Sequence, residues 1–159
     1  MKLKLALAAA SMLVAPAFMS AQAQTSNVYV SGGYTQFEGD GGASLGGITG
    51  RVGVGFGPNF AVEGEGTIGV ADDNGTELDS EIGVFAVGKL PINPSFDIFG
   101  RVGVARIETS PGGDDDGLAY GAGAQWNLTS QDGIRGDWTR HDYDEGDTDA
   151  YSLSYVRSF

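Results

Sequence analysis

Tyr151-Ser-Leu-Ser-Tyr-Val-Arg-Ser-Phe159 closes the chain with a bulky residue at almost every second position. Tyr151, Leu153, Tyr155 and Phe159 share one parity, while Ser152, Ser154 and Ser158 hold the other. Side chains alternate across a strand with period two, so this segment is predicted to be a strand with one aromatic, apolar face and one small, polar face. Arg157 interrupts the apolar parity. Soluble domains usually end on a polar, frayed terminus, so an aromatic ending of this kind points to an apolar surround.

Reading backward at the same period gives eight strands: Val28–Phe37, Gly46–Phe56, Phe60–Val70, Ser80–Leu90, Phe96–Ile107, Leu118–Leu128, Ile134–Asp142 and Ala150–Phe159. Their nine to twelve residues match the 9–11 or so that a tilted strand needs to cross a hydrocarbon core. The connections alternate in length. Gly57-Pro-Asn59, Pro91-Ile-Asn-Pro-Ser95 and Thr129-Ser-Gln-Asp-Gly133 are short and rich in turn formers. Between them lie the longer polar stretches Glu38–Leu45, Ala71–Asp79, Glu108–Gly117 and Tyr143–Asp149. An even strand count with short turns on one rim and long loops on the other predicts an all-β fold, an eight-stranded antiparallel up-and-down transmembrane β-barrel.

The start of the chain fits this reading. Met1-Lys-Leu-Lys is basic, Leu5 to Phe18 is apolar and small, and Ala21-Gln-Ala23 offers a cleavage site, which together form a Sec-type signal peptide. Its apolar run is too short for the roughly 20 residues of a spanning helix. The expected domains are therefore a signal peptide over 1–23 and a barrel over 24–159. Losing Lys2 and Lys4 takes the formal charge from −12 to −14. Such acidity disfavours nucleic acid, which needs a basic footprint, and none is expected as a partner. The absence of Cys excludes thiol chemistry and disulfides.

The two strand faces separate a membrane barrel from an aqueous one. One parity carries Val28, Val30, Tyr34, Ile48, Val52, Val54, Phe60, Ile68, Ile82, Leu90, Ile98, Val102, Tyr120, Trp126, Ile134 and Trp138. The other carries charges, hydroxyls and glycines, with Phe85, Val87, Phe99 and Val156 as exceptions. A lipocalin-like barrel would turn the apolar set inward. The signal peptide, the terminal Phe and the near-absence of charge on the apolar parity weigh against that alternative.

Several stretches carry a resemblance: Tyr29-Val-Ser-Gly-Gly-Tyr34, Arg51 through Glu63, Gly83 through Gly103, Tyr120-Gly-Ala-Gly123 and Arg135-Gly-Asp137. Over nearly all of residues 24–159 the chain resembles the small eight-stranded outer-membrane proteins of the porin-like, OmpA/opacity-type β-barrel family. The resemblance implies a Gram-negative cell outer membrane, export through the Sec pathway, periplasmic termini, and contact with outer-membrane lipid and lipopolysaccharide. It also implies that Tyr151, Leu153, Tyr155 and Phe159 are the insertion signal read by the barrel-assembly machinery. Such stretches are strand–turn–strand patterns and carry no catalytic signature, so the family implies role less sharply than fold.

Inward parity collects the cations Arg51, Lys89, Arg101 and Arg135 and the anions Glu63, Glu65, Glu81, Asp97 and Asp137. An eight-stranded barrel is just wide enough for side chains to fill, and charges removed from water need partners. These nine are expected to form a lumen ion-pair network that plugs the barrel, with Arg51 meeting Glu63 or Glu65, and Lys89 meeting Asp97. The alternative is a small passive, cation-preferring pore whose pairs rearrange.

Most of the 21 acids fall in the predicted long loops, which makes divalent cations possible partners there. Asp142-Tyr-Asp-Glu-Gly-Asp147 echoes a calcium loop only loosely, and neither a defined metal site nor a cofactor is expected. A lipid A-modifying enzyme ranks third: His141 is the one histidine, no Ser lies beside it, and hydrolysis needs a nucleophile within hydrogen-bond reach. The expected role is structural or surface interaction, without catalysis.

Overall fold

Eight strands follow one another around a ring: β1 (Asn27–Gly39), β2 (Ser44–Gly55), β3 (Phe60–Ala71), β4 (Glu77–Asn93), β5 (Phe96–Ser110), β6 (Gly113–Asn127), β7 (Asp132–Tyr143) and β8 (Gly146–Ser158). The computed structural model describes residues 27–42, 44–71, 77–110, 113–144 and 146–159, without the side chains of 77, 109 and 110. The expected signal peptide over 1–23, and the loop acids Asp72, Asp73 and Glu145, lie outside the described residues.

Each strand is antiparallel to the next, and β1 closes on β8 to give a barrel. That seam runs from Tyr29 opposite Ser158 to Gly39 opposite Thr148. β1 begins and β8 ends at one rim, hereafter the terminal rim, and Phe159 N–H still reaches the Val28 carbonyl at 2.8 Å.

Every strand is longer than the sequence periodicity indicates, and three expected long loops are largely paired hairpin. Register holds from β1 to β2 as far as Glu38 opposite Ser44, from β5 to β6 as far as Thr109 opposite Gly113, and from β7 to β8 as far as Tyr143 opposite Gly146. Beyond the hydrocarbon a paired strand has no reason to keep one face apolar. The ladder therefore continues where the alternation fades. Positive φ at Gly42, Gly113 and Gly146 closes the far ends of these hairpins.

β4 likewise continues through Pro91, expected in a turn, to Asn93. Pro91 lies at a register irregularity opposite Asp97, while pairing of β4 with β3 has already ended at Gly88. A residue without N–H is tolerated at such an unpaired edge. A second irregularity, between Leu78 and Ser80, changes the phase of β4. Leu78 is thereby 4% exposed although Ile82, of the same parity, is 50% exposed.

The faces divide as predicted. Outward residues form an apolar band bounded by aromatic side chains. Phe56, Phe60, Phe96, Trp126 and Phe159 lie toward the terminal rim, and Tyr34, Tyr120, Trp138 and Tyr151 toward the far rim. Tyr120 and Trp138 meet edge to face at 6.4 Å. Arg157, the interruption in the closing strand, lies by the terminal rim and binds Asp132 at 2.9 Å, where Tyr155 also donates to Asp132. Inward residues make two apolar clusters: one around Tyr29, Phe85, Val87, Phe99 and Val156, the other around Phe37, Leu45, Leu78, Ile107 and Ala150.

A closed ring has no strand edge to fray, so it should survive detergent until heated. Unboiled and boiled samples are expected to migrate differently on detergent gels, and identical migration would contradict closure.

Candidate functional site

The centre of the barrel is built from four strands. β2 contributes Arg51, β3 Glu63 and Glu65, β5 Arg101, and β7 Arg135 and Asp137. All lie on inward parity, and all are at most 9% exposed. Arg51 and Glu65 are cross-strand partners and form an ion pair directly. From the same guanidinium, Nη1 and Nη2 reach across the lumen to Asp137 at 2.7 and 3.0 Å. Arg101 donates twice to Glu65 Oε2 at 2.9 Å, with Glu63 at 3.8 Å and Asp137 at 3.6 Å. Arg135 grips Glu63 through both terminal nitrogens, at 2.5 and 3.2 Å, and approaches Asp137 at 3.4 Å. Three guanidiniums thus share three carboxylates. A planar fork matched to a carboxylate gives the strongest geometry available to a buried ion pair.

Phe85, Phe99 and Tyr29 explain why aromatic residues occur on a polar parity. The Arg101 guanidinium lies 3.6 Å above Phe85, that of Arg135 4.0 Å above Phe99, and Lys89 Nζ 4.1 Å above Tyr29. These rings supply cation–π faces in a water-poor interior. Tyr29 further donates its hydroxyl to Glu63 at 2.7 Å. The rings need space in a narrow lumen. Tyr29 lies opposite Gly53 and Phe99 opposite Gly123, and a Cβ on either glycine would overlap the facing ring.

Lys89 and Asp97 stand apart from this network. Lys89 takes the Tyr29 ring, while Asp97 accepts from Asn127 at 2.9 Å. No ion pair joins the two, in contrast to the expected Lys89–Asp97 pairing. They line a cavity of about 350 Å³ that opens at the terminal rim. Glu81 meets no arginine either. It faces His141, with Oε1 and Nε2 3.2 Å apart, and both residues are 1% exposed.

Above the ion pairs a belt of hydroxyls spans the β8–β1–β2–β3 wall. Thr49 bonds Thr35 and Thr67 at 2.7 Å each, Thr35 bonds Ser152, and Ser152 accepts from Arg51 at 3.2 Å. Next comes the Phe37–Leu45–Leu78–Ile107–Ala150 layer, with Tyr143 packed against it. Beyond that is a mouth cavity of about 250 Å³ near Asp40, Asp115 and Asp147. Ser152 and Ser154 of β8 lie opposite Asp137 and Arg135 rather than His141, whose β8 partner is Thr148.

Many acids expected in loops belong to strands, and several have cations beside them. Arg106 gathers Asp114, Asp116 at 3.7 Å and Glu108 at 3.8 Å, and Arg140 binds Asp149 at 2.9 Å. Asp149 also accepts from Trp138 Nε1 at 3.1 Å. Of the expected insertion signal, Tyr151, Leu153, Tyr155 and Phe159 are all exposed on the outer face, from 48% to 70%.

A family model described as the outer membrane protein beta-barrel domain matches residues 5–159. Among solved structures, the attachment invasion locus protein Ail of Yersinia pestis aligns with a TM-score of 0.62 at 21% identity, over 84% of this chain and 98% of that one. The N-terminal β-barrel domain of Pseudomonas aeruginosa OprF aligns with a TM-score of 0.66 at 13% identity, over 84% and 97%. OprG from the same organism gives 0.63 at 12% identity, over 84% and 95%. At these identities the likeness is one of fold. Ail has also been solved in complex with the heparin analogue sucrose octasulfate. No curated protein matches the chain.

Proposed function

This chain belongs to the outer membrane protein β-barrel domain family, whose members reside in Gram-negative cell outer membranes, and from that premise we propose a structural or surface-interaction role with a lumen closed to ions. The observation that carries the closure is the Arg51–Arg101–Arg135 layer with its three shared carboxylates. It lies between the cavities at the two rims, so a continuous water path would require these pairs to separate. Separating a buried pair exposes each charge to an uncompensated, low-dielectric surround.

The orientation that fits is termini in the periplasm and paired hairpins outside, with processing after Ala23 on the way. Outward aromatic girdles suit contact with lipid and lipopolysaccharide, and the β8 terminus suits recognition by the assembly machinery. The outer hairpins are acidic, so a sulfated polyanion of the kind seen with Ail is disfavoured here by charge. A cationic surface, or one bridged through divalent cations, fits better. Catalysis forms no part of this role: His141 is sealed inside and has no serine opposite it.

Single-channel recording in planar bilayers tests the closed lumen. Refolded protein is expected to leave the bilayer silent. Steady cation-selective openings would replace this reading with the passive pore, for which the two rim cavities would be the vestibules.

A further inference from the structure

One buried carboxylate is left over when the arginines have been assigned. Arg51, Arg101 and Arg135 gather Glu63, Glu65 and Asp137, while Glu81 on β4 touches none of them. Neither oxygen of Glu81 and neither ring nitrogen of His141 has a hydrogen-bond partner among the described residues. They nevertheless approach to 3.2 Å, out of line for a hydrogen bond. A buried charge without a partner is costly, and two polar atoms facing each other without a hydrogen bond suggest something shared between them. A third donor atom is at hand: one oxygen each from Glu65 and Glu81 and one nitrogen from His141 lie within 4.8 Å of one another.

We propose that Glu65, Glu81 and His141 bind one divalent transition-metal ion inside the barrel. Ligand atoms about 2.0–2.2 Å from a shared ion sit roughly 3.3–3.6 Å apart in tetrahedral geometry. The 3.2 Å approach of Glu81 to His141 is close to this, and Glu65, within 4.8 Å of both, completes the set by a small side-chain adjustment. An imidazole beside two carboxylates selects a borderline ion of the zinc class over calcium or magnesium, which prefer oxygen alone. Arg51 and Arg101, both bound to Glu65 Oε2, orient that carboxylate from behind. Tyr143 stacks on the His141 ring at 5.6 Å and 12°, and Phe37 tilts against it at 6.2 Å. The apolar layer above excludes water, which strengthens ion–ligand attraction and slows exchange. Since β3, β4 and β7 each contribute a ligand, the ion would tie opposite walls of the barrel together. It would enter during folding, past the acidic mouth. This site is independent of whether the barrel conducts.

Cobalt(II) serves as the probe. The chain is refolded in detergent micelles with excess cobalt, washed with chelator, and assayed for retained metal and for visible ligand-field absorption. The expected result is one chelator-resistant cobalt per barrel with a visible band. His141→Gln and Glu81→Gln should each lower retention by at least about tenfold, while Asp40→Asn/Asp147→Asn should retain it. Gel migration of unboiled samples identifies the variants that have closed. If the parent retains no cobalt after refolding in its presence, the site does not exist and Glu81–His141 is an ion pair alone. Equal retention by closed His141→Gln would put the ion at the acidic mouth and equally overturn the proposal.

Discussion

Replacing Arg135 with alanine is expected to destabilise the barrel by about 3–5 kcal/mol, the cost of breaking a buried ion pair from one side. Glu63 would keep only the Tyr29 hydroxyl at 2.7 Å and a distant Arg101 at 3.8 Å. Phe99 would lose the guanidinium 4.0 Å above it. Urea unfolding in micelles, followed by the mobility of the unboiled band, reads the effect. Arg157→Ala is the control: that side chain is 46% exposed, and its solvent-screened pair with Asp132 should contribute little. Adding Glu63→Gln to Arg135→Ala should recover part of the loss, because the orphaned charge is then gone. Equal costs for Arg135→Ala and Arg157→Ala would mean a hydrated lumen and would remove the basis for a closed one.

Deleting Phe159 should act at a different stage. In the finished barrel Phe159 is 70% exposed and contributes one seam hydrogen bond, from its N–H to the Val28 carbonyl at 2.8 Å. A single such bond contributes about 0.5–1.5 kcal/mol, too little to prevent closure. Refolding into detergent is therefore expected to stay largely intact. In cells, most of the truncated chain should accumulate in the periplasm or be degraded, since on the proposed reading the terminal aromatic is what the assembly machinery recognises before the barrel exists. Membrane fractionation with a parallel refolding assay checks both halves. Normal outer-membrane levels at low expression would show that Phe159 is not an insertion signal.

The eight strands and their inward and outward faces were legible in the sequence because a lipid-facing wall enforces strict alternation wherever it runs. Legibility stopped where that constraint stops. The outer ends of β5 and β6 read as a loop since Glu108 and Asp114 to Asp116 owe nothing to a bilayer, although they remain hydrogen-bonded as a hairpin. Pro91 read as a turn since its tolerance depends on β3 having already ended, a matter of neighbours rather than local propensity. Within the lumen, parity identified which charges face inward but not which of them meet. Arg51 to Glu65 follows from pairing of adjacent strands, whereas Arg51 to Asp137 and Arg135 to Glu63 cross the lumen and depend on barrel diameter and stagger. Phe85 and Phe99 looked like breaks in a pattern. They were the clue to cation–π contacts, and each having a glycine opposite it was the readable sign, at Gly103 and Gly123. Glu81 and His141 share inward parity, but nothing local brings β4 to β7.

The seam between β1 and β8 also bears on which chains can exist as finished protein. Tyr29 pairs with Ser158, so the first strand waits for nearly the last residue before its outer edge is satisfied. A chain broken anywhere earlier offers two open edges, and in hydrocarbon each unpaired amide or carbonyl costs several kcal/mol. Seven strands are thus no near-substitute for eight. Ring closure acts as an all-or-none inspection of completeness: products truncated before β8 fail it by topology alone, with no need for a protease to recognise any particular damage. The same rule delays commitment, since the longest-range contact in the molecule is the one that makes insertion irreversible.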